Sequence, residues 1–134
     1  LELNVSCPNI NKKLVNSELK GFINTQREWC IIKLSPLVDK NLIDSYYREG
    51  FRQFHCSNTL PVKGGGQSGP ILKKYNRELI TYIKNKYPDT EIIGGGGIRN
   101  IDDINFYKQL GCTHFSVSTV LFNPYLTFKL FNNF

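Results

Sequence analysis

The sequence predicts an α/β fold built on a parallel sheet, and three observations carry that reading. Short apolar runs alternate with helical patterns from one end to the other. Glycine, proline and capping residues stand at the junctions between them. A polar or glycine-rich cluster follows each apolar run. With 134 residues, 40% of them hydrophobic and 21% charged, the chain is long enough for a sizeable core and is not a disordered segment.

The first strand is expected at Leu1 to Ser6, running without a lead-in turn straight into Cys7-Pro8-Asn9. A helix over Leu14 to Gln26 leads to the second strand, Trp29 to Leu34, whose apolar run contains Lys33. The next helix, Asp39 to Glu49, stops at Gly50, a residue suited to a left-handed C-cap. Phe51 to Cys56 is the third strand. The long loop behind it, Ser57 to Gly69, reads "SNTLPVKGGGQSG", and loops of this length are usually functional or mobile. Pro70 fits a first helical position, where its missing N–H costs nothing, and the helix is expected to run to Lys86. Glu91 to Gly94 is the fourth strand. Asn100 suits the N-cap of a helix from Ile101 to Leu110, with Asp102 and Asp103 in its first turn and Gly111 behind it. Thr113 to Ser118 and Pro124 to Phe131 complete the series as strand and helix. The strands are mostly continuous runs rich in Val, Ile and Phe, as expected for burial on both faces.

Five consecutive β-α units imply parallel strands joined by right-handed crossovers. An open doubly wound sheet and a closed (β/α)8 barrel both satisfy that pattern. A barrel takes ~250 residues, so residues 1–134 would form a single partial domain of one. In either architecture ligands bind beyond the carboxyl ends of the strands. There the sequence gathers Asn4, Ser6, Cys7 and Asn9, then Lys33, then Ser57, Asn58 and Thr59, then Gly94 to Gly97, then Ser118 and Thr119.

Lys33 sits in an apolar strand, where an unpaired ammonium is costly, so it should face an anion or an electron-rich ligand. Gly94 to Gly97 are either a loose turn or a stretch that lets the backbone approach a phosphate, with "VST" completing the cradle. Cys7 is either a small buried hydrophobe or a partly exposed thiol able to act as base or nucleophile. His55 and Cys56 are adjacent on a strand, point to opposite faces and are assigned no joint site. His114, at a strand start, lies on the other rim.

The net charge of +6 raises nucleic acid as a partner. The densest basic set, Lys73, Lys74, Arg77, Lys84 and Lys86, follows one helical pattern and reads as a solvated helix face, so no nucleic-acid partner is expected. No apolar run approaches the ~20 residues of a membrane span. Cys7, Cys30, Cys56 and Cys112 match neither a zinc site nor a disulfide framework, so no metal is expected, and the reading for at least three of them is free thiols in the cytoplasm.

The blocks "ELNVSCPN", "IKLSP", "SNT", "GGQSGP", "IIGGGGI" and "VSTVLF" occur in an order that resembles the dihydroorotate dehydrogenases. These are FMN-dependent (β/α)8 barrels of pyrimidine biosynthesis. The resemblance covers nearly the whole chain and corresponds to strands four to eight, the C-terminal part of the barrel, so the chain is expected to be a fragment of a longer protein. It implies oxidation of dihydroorotate to orotate. Cys7 would be the base that removes the C5 proton while a hydride leaves C6 for the flavin.

The resemblance further implies that Asn4, Asn9, Asn58 and Thr59 bind substrate. Lys33, Gly66, Gly96, Gly97, Ser118 and Thr119 would hold FMN, the last four at its phosphate. A cysteine at the base position marks the family's soluble branch, and the intact protein is expected to be a homo-oligomer. Gln67 and Gly95 depart from the residues more usual there. The "LNVSCPN" theme also occurs in dihydropyrimidine dehydrogenase, so the choice of pyrimidine rests mainly on Asn9. A non-catalytic half-barrel that binds flavin or phosphate is the alternative.

Overall fold

The computed structural model describes residues 1–5, 16–24 and 26–133. Its strands are β1 (Glu2–Asn4), β2 (Ile31–Lys33), β3 (Gln53–Cys56), β4 (Leu60–Val62), β5 (Gly65–Gln67), β6 (Glu91–Gly95) and β7 (His114–Ser116). The helices are α1 (Asn16–Lys20), α2 (Lys40–Glu49), α3 (Leu72–Lys86), α4 (Ile101–Gln109) and α5 (Pro124–Asn132), with a 3-10 turn at Thr119–Phe122. None is long and apolar enough to cross a membrane among the described residues.

Five strands form one parallel sheet in the order β1-β2-β3-β6-β7. The order never reverses. Right-handed crossovers that always step the same way place every helix on one side of the sheet, which is barrel winding and not doubly wound winding. The core agrees. Ile32, Phe54, Cys56 and Ile92 point to that side, fully buried in one cluster with Leu19 of α1, Ile43 and Tyr46 of α2, Ile80 and Ile83 of α3, and Ile104 and Tyr107 of α4. The fold is a partial (β/α)8 barrel.

The opposite face carries the alternate residues: Glu2 and Asn4, Ile31 and Lys33, Gln53 and His55, and Glu91 and Ile93. Apart from His55 they are half-buried or exposed. Burial on both faces, expected from the apolar runs, is therefore corrected to burial on one. This face is concave. Trp29 at the start of β2 meets His114 of β7 edge to face, with ring centroids 4.8 Å apart. On a flat sheet their strands would stand three ladder spacings apart, about 14 Å.

Local chemistry sets most boundaries. Asp39 caps α2 by accepting from the Asn41 N–H at 2.9 Å, and Gly50 ends it at φ 108°. Asn100 and Asp103 form a reciprocal capping box on α4. Asn123 caps α5 by accepting from the Leu126 N–H at 3.1 Å. Pro70 falls before α3, whose N-cap is Ile71, within a turn where the Leu72 N–H reaches the Gly69 carbonyl. The expected helix to Gln26 ends at Lys20, because the Phe22 and Ile23 N–H groups turn back to the Leu19 and Lys20 carbonyls. The loop expected over Ser57 to Gly69 contains the antiparallel hairpin β4–β5, closed through Gly64 at φ 87°.

The basic set on α3 is more than a solvated face. Lys73 pairs with Asp103 of α4, and Lys84 donates to the Pro88 and Thr90 carbonyls at 3.0 and 2.9 Å. Lys86 donates to Asp44 of α2 at 2.6 Å. Burial pushes the Asp44 carboxyl up, but hydrogen bonds from Lys86, Tyr82 and Tyr87 outweigh it and hold the group at about 2.

Candidate functional site

The carboxyl rim of the sheet brings together part of the expected substrate set. Asn4 ends β1 and Asn58 follows β3, and the Asn58 amide donates to the Asn4 side-chain oxygen at 3.2 Å. The Asn58 oxygen in turn accepts from the Thr59 N–H at 2.9 Å, which fixes the amide plane. Thr59 Oγ1 lies where any Cβ on Gly66 would stand, so a side chain at 66 would displace it. Gly66 thus ties β5 to the rim through Thr59. Cys7 and Asn9 lie outside the described residues.

Lys33, at the end of β2, does face an anion, and the chain supplies it. Its Nζ is 3.4 Å from Glu2 Oε1 on β1. The other oxygen of Glu2 lies 2.6 Å from Nδ1 of His55, on β3 beyond β2. The remaining nitrogen of His55 meets the Ser57 hydroxyl. Burial lowers the His55 pKa; the hydrogen bond and charge of Glu2 oppose this without overcoming it. The ring is therefore neutral at pH 7, donating Nδ1–H to Glu2 and accepting from Ser57 at Nε2. Burial likewise works against ionisation of Glu2, but His55 and Lys33 outweigh it and hold the carboxyl below its usual range.

The Lys33–Glu2–His55–Ser57 array has no signature in the spacing of its residues along the chain. The period of two places His55 and Ser57 on one face, but Glu2 joins them only through strand order and register.

At the ends of β6 and β7 the glycine run is explained first by packing. A Cβ on Gly94 would come within 2.7 Å of the Tyr107 ring, and one on Gly95 within 2.6 Å of Ser57 Cβ. Gly96 and Gly97 have φ of 88° and 73°, conformations that favour glycine. The Tyr107 hydroxyl lies 2.6 and 2.7 Å from the Gly95 and Gly96 carbonyls, and the Asn76 amide donates to the Gly95 carbonyl at 2.7 Å. Asn76 is a buried polar residue on the apolar stripe of α3 beside Leu72, Leu79, Ile80 and Ile83. That interruption of the stripe was the signal for its role.

Beside this turn lies a cleft of about 380 Å³ bordered by Ser68, Gly69, Arg99, Thr119 and Asn123, among others. Gly96, Gly97 and Ser118 are not among its lining residues. Its guanidinium and hydroxyl donors suit a phosphate, so the cleft fits the phosphate end of a nucleotide-like cofactor. Arg99 was not singled out from the sequence, although it directly follows the glycine run. A larger cleft, about 700 Å³, lies on the outside against α3, between Lys40, Arg77, Tyr82 and Lys86. Its lining residues belong to α2 and α3, and none is one of the polar strand-end residues of the rim.

Cys30, Cys56 and Cys112 are free and buried. Burial raises all three thiols, Cys112 to about 12, so they are inert packing groups and not nucleophiles.

No protein-family model matches the chain. Named relatives do. The chain is 28% identical, over 158 aligned residues covering 97% of its length, to the dihydroorotate dehydrogenase B (NAD(+)) catalytic subunit of Lachnoclostridium phytofermentans. It is 31% identical over 92% of its length to the protein of that name from Endomicrobium trichonymphae. It spans about half of each, 52% and 48% respectively. Among solved structures, dihydroorotate dehydrogenase from Eimeria tenella in complex with ferulenol superposes with a TM-score of 0.65 at 19% identity. That match covers 76% of this chain and 32% of the solved one.

Proposed function

We propose that this chain, a homologue of the dihydroorotate dehydrogenases along most of its length, is the catalytic C-terminal sector of an FMN-dependent barrel. The reaction is oxidation of dihydroorotate to orotate in pyrimidine biosynthesis. The observation that carries the reading is the convergence of Asn4, Lys33, Asn58 and Thr59 from three strands on one carboxyl rim. A planar cyclic amide needs in-plane donors and acceptors, a flavin needs a cation at its electron-rich edge, and this rim supplies both.

In this reading Asn4, Asn9, Asn58 and Thr59 orient the substrate ring, and Cys7 takes the proton from its C5. The chemistry that FMN supplies when bound is acceptance of the hydride leaving C6. Lys33 puts a cation beside the electron-rich edge of the flavin ring, with Glu2 setting its position. Arg99 and Thr119 hold the phosphate in the cleft, and Gly66, Gly96, Gly97 and Ser118 shape the backbone around the cofactor. Residues 1–134 form one partial domain of the intact barrel. We place that barrel, with its unpaired buried thiols, in the cytoplasm.

The test is anaerobic flavin absorbance after dihydroorotate is added to the FMN-loaded protein. Bleaching is expected, slowed on the order of 10²- to 10⁴-fold by Cys7→Ala, with FMN still bound. Cys7→Ser should keep part of the rate, shifted to higher pH. Bleaching at an unchanged rate in Cys7→Ala would overturn the role of Cys7. FMN bound without any reduction would favour a non-catalytic flavin-binding half-barrel.

A further inference from the structure

Two buried polar side chains stand in the helix layer behind the glycine turn. Asn76 of α3 is 1% exposed and Tyr107 of α4 is 0% exposed. The Tyr107 hydroxyl lies 2.6 Å from the Gly95 carbonyl oxygen and 2.7 Å from that of Gly96. The Asn76 amide donates to the Gly95 carbonyl at 2.7 Å and to the Tyr107 hydroxyl at 3.2 Å. Burial pushes the Tyr107 hydroxyl up to about 12, so it stays protonated and able to donate at neutral pH. Packing does not require this pair. Leucine and phenylalanine have similar volumes, whereas Asn76 leaves its Oδ1 buried with no hydrogen-bond partner among the described residues, which costs stability.

What the pair does is orient the turn. The peptides of the turn are trans, so each carbonyl and the N–H of the next residue point to opposite sides. With the Gly95 and Gly96 carbonyls drawn to Tyr107, the Gly96 and Gly97 N–H groups face away from the helix layer. Gly97 stands against Gly69 and Pro70 at the border of the cleft of about 380 Å³, where a Cβ would meet the Gly69 carbonyl oxygen at 2.9 Å. Arg99, two residues on, also borders that cleft, and its backbone N–H donates to Asp103 at 2.7 Å. We propose that Tyr107 and Asn76 are positioning residues for the phosphate of FMN, setting the turn so that the Gly96 and Gly97 N–H groups and the Arg99 guanidinium are presented to it. Neither touches the cofactor. Their role rests on the reading of that cleft as the phosphate end of the flavin site.

The test compares FMN with riboflavin, the same ring system without the phosphate, in fluorescence titrations of the whole chain and two variants. Tyr107→Phe keeps the ring that packs on Gly94 and removes only the hydroxyl. Asn76→Leu removes the amide and keeps the volume. Wild type should prefer FMN over riboflavin. Tyr107→Phe should cut that preference by about tenfold, with FMN binding weakened and riboflavin binding unchanged, as expected for misaligned hydrogen bonds to a charged group. Asn76→Leu should cut it less, because the Tyr107 hydroxyl still reaches both carbonyls. A purely structural role would weaken both flavins alike. That result, or a preference unchanged in both variants, would overturn the proposal and leave the phosphate reading of the cleft standing. A wild-type chain with no preference for FMN would overturn that reading, and the proposal with it.

Discussion

The two faces of the sheet are made by the same five strands and have opposite characters. On the helix-packed side, Ile32, Phe54 and Ile92 stand in register across β2, β3 and β6 and have no exposed surface. One residue along, Lys33 and His55 stand in register on the concave side, tied to Glu2. A shift of one residue thus separates the positions that stabilise the fold from those that carry chemistry. The first group is fixed by apolar burial, which is non-directional. The second needs named partners at hydrogen-bond distance, so it tolerates substitution differently.

The largest expected effect is on the packed side. Phe54→Ala should lower stability to urea by about 3–5 kcal/mol, because its cavity is lined by residues that cannot collapse into it. A loss below about 1 kcal/mol would show that burial on the helix side does not dominate stability. Gly95→Ala comes next, at about 1–3 kcal/mol by the same measurement, since its Cβ would meet Ser57 Cβ at 2.6 Å and the Ser116 carbonyl at 2.8 Å. Gly95 belongs to both faces, so this substitution should also disturb the Ser57 hydroxyl.

Lys33→Met should change stability by no more than about 1 kcal/mol, since its ion pair is only partly buried. It should nevertheless weaken FMN binding by about tenfold or more, as expected for loss of a charged contact. Unaltered FMN affinity would show that Lys33 serves Glu2 alone. The smallest effect is a pH dependence far from either face. Asp44 is held at about 2, below its unfolded value of about 3.9, so its contribution is complete above pH ~5 and is lost as pH falls toward about 2. Asp44→Asn should flatten the stability profile in that acid range and leave it unchanged near neutrality.

Much of this architecture was legible in the residues because local chemistry and topology agree. Gly50, Asn100, Gly111 and Pro124 fixed helix ends that the structure reproduces to within a residue or two. The alternation of elements limited the fold to two windings, and strand order chose between them. The hairpin β4–β5 escaped because its strands are three residues long and lack the alternation that marks longer ones. Phe22 and Ile23 extended the apparent helical pattern past Gly21, although their N–H groups close a turn. The concave array escaped for a different reason. Glu2 and His55 are 53 residues apart and meet across an intervening strand, a relation set by register and curvature and by no spacing along the chain.

In the proposed function, ligands sit on the concave rim and in the Arg99–Thr119 cleft. Backbone amide chemical-shift mapping of the chain during titration with FMN, then with orotate, tests it most directly. FMN should perturb Lys33, Arg99 and Thr119, and orotate should add Asn4, Asn58 and Thr59. Perturbations confined to the outer cleft around Lys40, Arg77 and Lys86, with the rim silent, would contradict it.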